Sequence, residues 1–145
     1  MAAAVERVTV DPRFLEHFQH PRNVGDLTHP DVCVEGENPV CGDRLRLALA
    51  LEGETVGAVR YRVSGCSGAI AAASVMSELV QGRALGEVAR VDRQAIDAAL
   101  GGLPALKRHG ADLAADTLHQ ALAARRAAPA PESAARAGEP DGDQE

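Results

Sequence analysis

The stretch Tyr61–Val80, YRVSGCSGAIAAASVMSELV, decides the fold. Val59, Tyr61 and Val63 alternate with Arg60, Arg62 and Ser64, the period-two pattern of a half-buried strand. Gly65 and Gly68 bracket Cys66 and permit a tight turn. Beyond it Ala69, Ile70, Ala72, Ala73, Met76, Leu79 and Val80 recur at helical spacing, with Ser67 expected as the cap. Cys66 therefore stands beside a helix N-terminus. Free N–H groups and the helix dipole there favour a thiolate, the form that binds metal and attacks sulfur. A small cysteine packed among alanines is the alternative.

Working outward from this corner, Leu45, Leu47, Leu49 and Leu51 alternate with Arg44, Arg46, Ala48 and Ala50 and predict a strand with one face in the core. Glu52-Gly53-Glu54 reads as a hairpin turn into the strand 55–64. Residues 31–37 predict a strand carrying Cys33, preferred as a buried cysteine with a ligand role as the alternative. Asn38-Pro39 ends it, and Val40-Cys41-Gly42-Asp43 forms a loop. At the other end Asp11-Pro12 starts a helix on which Phe14, Leu15 and Phe18 make one apolar face. His20-Pro21 stops it, and Arg22-Asn23-Val24-Gly25 is turn chemistry.

C-terminal to the corner, 84–90 and 92–100 predict short helices. Leu103-Pro104-Ala105-Leu106-Lys107 leads into a helix reaching about residue 128, with Leu106, Leu113, Leu118 and Leu122 as its apolar stripe. The order helix, three strands, helices predicts an α+β fold, a three-stranded antiparallel sheet with helices on one face. Residues 1–10 read as an extended lead-in, and 1–128 as one domain. Residues 129–145, PAPESAARAGEPDGDQE, read as a disordered, acidic, Pro/Ala-rich tail.

Composition excludes several classes. The 145 residues carry a formal charge of −6. Five acids against Arg136 place −4 of it in residues 129–145. The remainder is close to neutral and gives no support for nucleic-acid binding. No apolar run approaches the ~18 residues of a membrane span. No signal layout opens the chain, and three cysteines are too few for a disulfide framework, so a reducing cytoplasm is expected.

Cys41, Asp43, Cys66 and His109 fall at element ends that this fold can bring together. Two thiolates, an imidazole and a carboxylate suit tetrahedral Zn²⁺ or iron–sulfur species, although no CxxC pair is present. His17, His20, His29 and His119 have no such company and read as surface or capping residues.

Four segments, FLEHFQHPRNVGDL (14–27), NPVCGD (38–43), VSGCSGAIAAASVMSELVQG (63–82) and LPALKRH (103–109), occur in an order and spacing that resemble the NifU-like, IscU-type iron–sulfur cluster assembly scaffolds. The resemblance covers about residues 11–126 and implies the α+β fold above. It implies a scaffold or carrier, not an enzyme, that receives sulfur and iron, builds a transient [2Fe–2S] cluster and passes it on, with Zn²⁺ possible at the same site. Cys41, Asp43, Cys66 and His109 match the family's ligand positions, and Cys41 or Cys66 would accept sulfur. The implied partners are a cysteine desulfurase, recipient apo-proteins and an Hsp70-type chaperone docking at Leu103–Lys107, with neither nucleic acid nor membrane.

Two departures stand out. Gly110 occupies the place of the family's third cysteine, and Ala105 that of its second proline in the LPALK segment. A glycine in a helix is locally unfavourable, so position 110 is expected to tolerate a cysteine. The loss of a thiol favours a second reading, a divergent zinc-binding homologue that accepts sulfur from, or regulates, a desulfurase. Cys66 and His109 are 43 positions apart, the spacing of members without the zinc-type insertion. A third reading, a cysteine-nucleophile enzyme using Cys66 with His109, lacks any supporting pocket motif.

Overall fold

A computed structural model of the chain describes residues 11–39 and 42–127. Helix α1 (Pro12–Gln19) starts where the Asp11 carboxylate accepts the Arg13 N–H at 2.8 Å, with proline in the first turn. Three strands follow, β1 (Val32–Glu37), β2 (Arg44–Glu52) and β3 (Thr55–Ser64), antiparallel in the order β1-β2-β3. A Gly53-Glu54 loop joins β2 to β3, with Gly53 at φ 65°, where a side chain is disfavoured. The register shifts between Ala50 and Leu51.

Leu45, Leu47 and Leu49 of β2 and Val56, Val59 and Tyr61 of β3 point into the core. On that face lie α2 (Ser67–Val80), against β3, and α5 (Arg108–Ala127), against β1 and β2. Helix α1 packs on α2. Two short helices, α3 (Leu85–Val88) and α4 (Arg93–Ala99), and a 3-10 turn (Ala105–Lys107) lead to α5. The expected α+β fold is therefore present.

The outer edge of β3 is occupied. The Gly25 N–H donates to the Tyr61 carbonyl at 2.9 Å, and the Tyr61 N–H to the Asn23 carbonyl at 3.3 Å. Asn23 adopts φ 62° to make this turn. Further along, the Val56 N–H donates to Arg83 O and the Gly82 N–H to Val56 O. The Arg22–Gly25 turn thus shields a strand edge as well as reversing the chain.

Several expectations are corrected. Helix α2 is buried on nearly every side, so Ala71, Ser74, Val75 and Ser77 lie inside along with Ala69, Ala72, Ala73, Met76 and Val80 of the expected stripe, while its Ile70 and Leu79 are only part-buried. Its N-cap residue is Cys66, with no side-chain cap bond, and Ser67 is already helical. The last helix begins at Arg108, and Leu106, expected on its stripe, is 85% exposed on the 3-10 turn before it. The helix expected over 84–90 shortens to α3. His17 is buried, and its Nδ1 lies 2.6 Å from Ser74 Oγ, which also accepts the Arg22 N–H at 2.9 Å. His119 donates through Nε2 to Val91 O at 2.9 Å, while His20 and His29 are exposed as expected. The expectations for residues 1–10 and 129–145 lie outside the described residues.

Candidate functional site

The site is built where β2 begins and β3 ends. The Asn38 N–H donates to Asp43 O at 2.8 Å, and the Gly42 N–H to Asn38 O at 2.7 Å. Gly42 at φ 77° lets this turn close. The turn delivers Asp43 into a buried position under the corner. There a Cβ on Gly65 would lie 2.6 Å from Asp43 Cγ, so the corner needs glycine to accept the carboxylate. One residue later Cys66, half-buried, points its Sγ at Asp43 Oδ2, 3.5 Å away. Cys66 is also the N-cap of α2, where the first-turn N–H groups have no partner within the helix.

His109 arrives from the other side, on the first turn of α5, half-buried. That turn is pressed against the corner. A Cβ on Gly68 would lie 2.7 Å from the Lys107 carbonyl oxygen, and one on Gly110 would lie 2.5 Å from Gly68 C and 2.6 Å from Ala69 N. The two helices meet glycine against glycine. Gly110, expected to tolerate a cysteine, is closed to any side chain while α2 and α5 keep this spacing. The glycine in a helical pattern was the sequence's hint of this close approach.

The structure brings Asp43 and Cys66 together and sets the His109 turn beside them. Cys41 lies outside the described residues. Among the described residues no group of three Cys, His, Asp or Glu side chains is close enough to hold a metal. Asp43, Cys66 and His109 thus do not form a set by themselves. The carboxylate and thiol pair, with a helix N-terminus behind it, can accept a proton, hold a cation or present a nucleophilic sulfur. Cys33 is exposed on the outer face of the sheet, so the expected buried strand cysteine is corrected. Its side chain contacts Arg46 and, ahead of Asp26, pushes that guanidinium's pKa up.

Behind the corner lies a buried polar network that sequence reading missed. Burial, more than the opposing pull of Glu78, lowers the pKa of His17 between α1 and α2. Burial also pushes the Tyr61 phenol up to about 12, against the pull of Ser74 beside it. The Asn23 amide donates to Ser77 Oγ at 2.9 Å. These groups tie the 20–25 turn to α2, and α2 carries Cys66.

The model of the NifU-like N-terminal domain matches residues 10–130. The chain belongs to this family. A relative in Archaeoglobus fulgidus, iron-sulfur cluster assembly scaffold protein IscU 1, is 36% identical over 110 residues, 76% of this chain and 72% of the relative. The bifunctional protein NifU/MnmA of Rubrobacter xylanophilus is 45% identical over 113 residues, 77% of this chain, which spans only 23% of that protein. The crystal structure of a NifU-like protein (N-terminal) from Brucella abortus superposes with a TM-score of 0.68 at 20% identity, covering 80% of this chain and 93% of that one. At that identity the likeness is one of fold. Among the described residues of this NifU-like domain, no helix is long and apolar enough to cross a membrane.

Proposed function

We propose that this NifU-like domain is an iron–sulfur cluster assembly scaffold and carrier. It holds and transfers cargo and does not turn over a substrate. The observation that carries the reading is Cys66 at the mouth of α2 with its Sγ 3.5 Å from the buried Asp43 carboxylate. Membership of a family whose relatives are named as scaffolds supports it. Residues 1–128 would form the working domain, with 129–145 as an appendage.

In this reading Cys41, Cys66, His109 and Asp43 receive the cargo, a transient [2Fe–2S] cluster. A desulfurase in the cytoplasm presents a cysteine persulfide. The thiolate of Cys66 or Cys41 attacks its outer sulfur. A new S–S bond forms on the scaffold as the donor S–S bond breaks, and the donor cysteine leaves as its thiolate. Asp43 is placed to take the Cys66 proton beforehand. A carboxylate is a weaker ligand for iron than a thiolate, which suits a cluster meant to leave for an apo-protein. Leu106, 85% exposed on the 3-10 turn beside the site, is the residue of the Leu103–Lys107 segment best presented to an Hsp70-type partner.

One observation favours a second reading. Gly110 has no room for a third thiol, and the remaining mixed donors suit Zn²⁺, as in a zinc-binding homologue that regulates a desulfurase or accepts its sulfur. Anaerobic reconstitution with ferrous iron and sulfide, followed by visible absorption and metal assay, separates the two. The scaffold reading expects a coloured protein, loss of colour in Cys66→Ser, and slower bleaching in air in Asp43→Ala. A parent chain that takes up no iron yet binds one Zn²⁺ through Cys66 would establish the second reading.

A further inference from the structure

Beside the corner, but sharing none of its residues, an open-sided cleft of about 210 Å³ lies between the end of β1 and α5. One wall is a stripe of α5: Asp112, Leu113, Asp116, Thr117 and Gln120, positions that share one helix face. The other wall runs from Gly36 to Pro39, the end of β1 and the start of the turn after it. Among the described residues no lysine, arginine or histidine lines the cleft.

Two features of this cleft cost stability while nothing fills it. The first is charge. Asp112 and Asp116 stand one helical turn apart, where like charges repel. Asp112 is relieved by Arg93 at 3.0 Å. Glu37, on the facing wall, stands opposite Arg44 in the sheet register, so its charge is offset. Asp116 is exposed at the rim and makes no ion pair among the described residues.

The second feature is independent of charge. Thr117 Oγ1 is buried with no hydrogen-bond partner among the described residues. It packs against Gly36, where a Cβ would overlap it. Thr117 and Gly36 belong to opposite walls, so the hydroxyl sits where the walls meet, at the floor of the cleft. A buried hydroxyl without a partner is destabilising, and a donor seated at that floor would relieve it.

We propose that this cleft binds a guanidinium group. A bare metal ion does not suit it: among the described residues no three Cys, His, Asp or Glu side chains converge closely enough to hold one. The acceptors are spread along the stripe instead. They are the Asp116 carboxylate, the Thr117 hydroxyl and the amide oxygen of Gln120, whose amide nitrogen already donates to Glu35 O at 3.1 Å. A guanidinium carries five N–H donors in a flat fork that spans several acceptors, whereas an ammonium is a compact point charge. Leu113 and Pro39 offer apolar surface to the methylene stem behind it. At about 210 Å³ the cleft is smaller than the roughly 300–1,000 Å³ of pockets for drug-sized ligands, so it takes a group about the size of one side chain. A free guanidino amine and an arginine on a partner chain present the same chemistry. The inference goes beyond the scaffold reading and involves neither Cys66 nor any cargo.

The test is titration of the isotope-labelled full chain, followed by amide proton–nitrogen NMR, with agmatine and with N-acetyl-arginine amide. Saturable shifts are expected at the amides of Gly36, Asp116 and Thr117. N-acetyl-citrulline amide, neutral and of nearly the same shape, should bind at least about tenfold more weakly. Asp116→Asn should weaken binding about tenfold, and Thr117→Val, which keeps the shape, about fivefold. Asp26→Asn, which removes an acid on the outer face of the sheet, should change neither probe's affinity. The same spectra report whether each variant is folded. Tighter binding of agmatine would assign the cleft to a free guanidino amine, and tighter binding of the blocked arginine to a partner's side chain; either ranking supports the site. Absence of saturable shifts with both probes overturns the proposal. So does equal binding of the citrulline probe, or an affinity unchanged in both Asp116→Asn and Thr117→Val.

Discussion

Leu45 and Leu47 alternate along β2 with Arg44 and Arg46, and the two sets meet opposite fates. The leucines are almost completely buried under α2 and α5. The arginines face outward, half-exposed where they pair with Asp26. The cysteines divide the same way: Cys66 is half-buried at the corner with a carboxylate 3.5 Å away, while Cys33 is exposed among guanidinium groups. The inner face and its corner work by packing tolerance, in ångströms and glycines. The outer face works by charge, which water and salt weaken.

The hardest test of that contrast compares neighbours on β2. Leu47→Ala should cost about 2–5 kcal/mol in urea unfolding, through lost burial and the cavity left behind. Arg46→Ala should stay within about 0.5 kcal/mol, as an exposed position away from the core. Comparable losses at the two positions would show that the outer face is structural.

A second test sharpens the account of the corner. Gly110→Ala gains about 1 kcal/mol of helix propensity. Against this, its Cβ would meet backbone atoms of Gly68 and Ala69 at 2.5–2.6 Å. Backbone cannot rotate away as a side chain can, so α5 must shift, at a cost of about 1–3 kcal/mol. Net destabilisation in urea is expected, together with faster alkylation of Cys66 as the helices part. A stabilised variant with unchanged Cys66 labelling would show that the glycine contact is loose.

The smallest effect concerns His17. Burial lowers its folded pKa below the ordinary histidine value of about 6.5. Between the two values the unfolded chain binds the extra proton, so stability rises with pH through that window. The contribution is complete above about 6.5 and is lost as pH falls towards the folded value. His17→Gln removes the titrating group but keeps a partner for Ser74, so its stability should vary less across the window. Identical slopes in parent and variant would mean that His17 is not buried neutral.

Much of the fold was legible because periodicity is local. The strands 44–52 and 55–64 showed in two-residue alternation, and the corner in Gly65-Cys66-Ser67-Gly68 before an alanine-rich run. The pairing of Asp43 with Cys66 was only half legible. Both residues were picked out by type, but 23 positions separate them and only the sheet register brings them together. The corrections share a cause. Ala71 and Ser74 gave no apolar signal and are buried because α2 is enclosed on several sides. Leu106 gave one and is exposed because the chain was still in a 3-10 turn.

By itself the sequence determined the order of elements, which residues of each strand face the core, the candidate ligand types and the change of charge at residue 129. These follow from hydropathy, propensity and charge, which each residue carries with it. Only the tertiary structure decided that Cys33 faces water, that His17 is enclosed, and that Gly110 has no room for a side chain. Those depend on how closely one helix or strand approaches another, a distance set jointly by residues far apart in the chain.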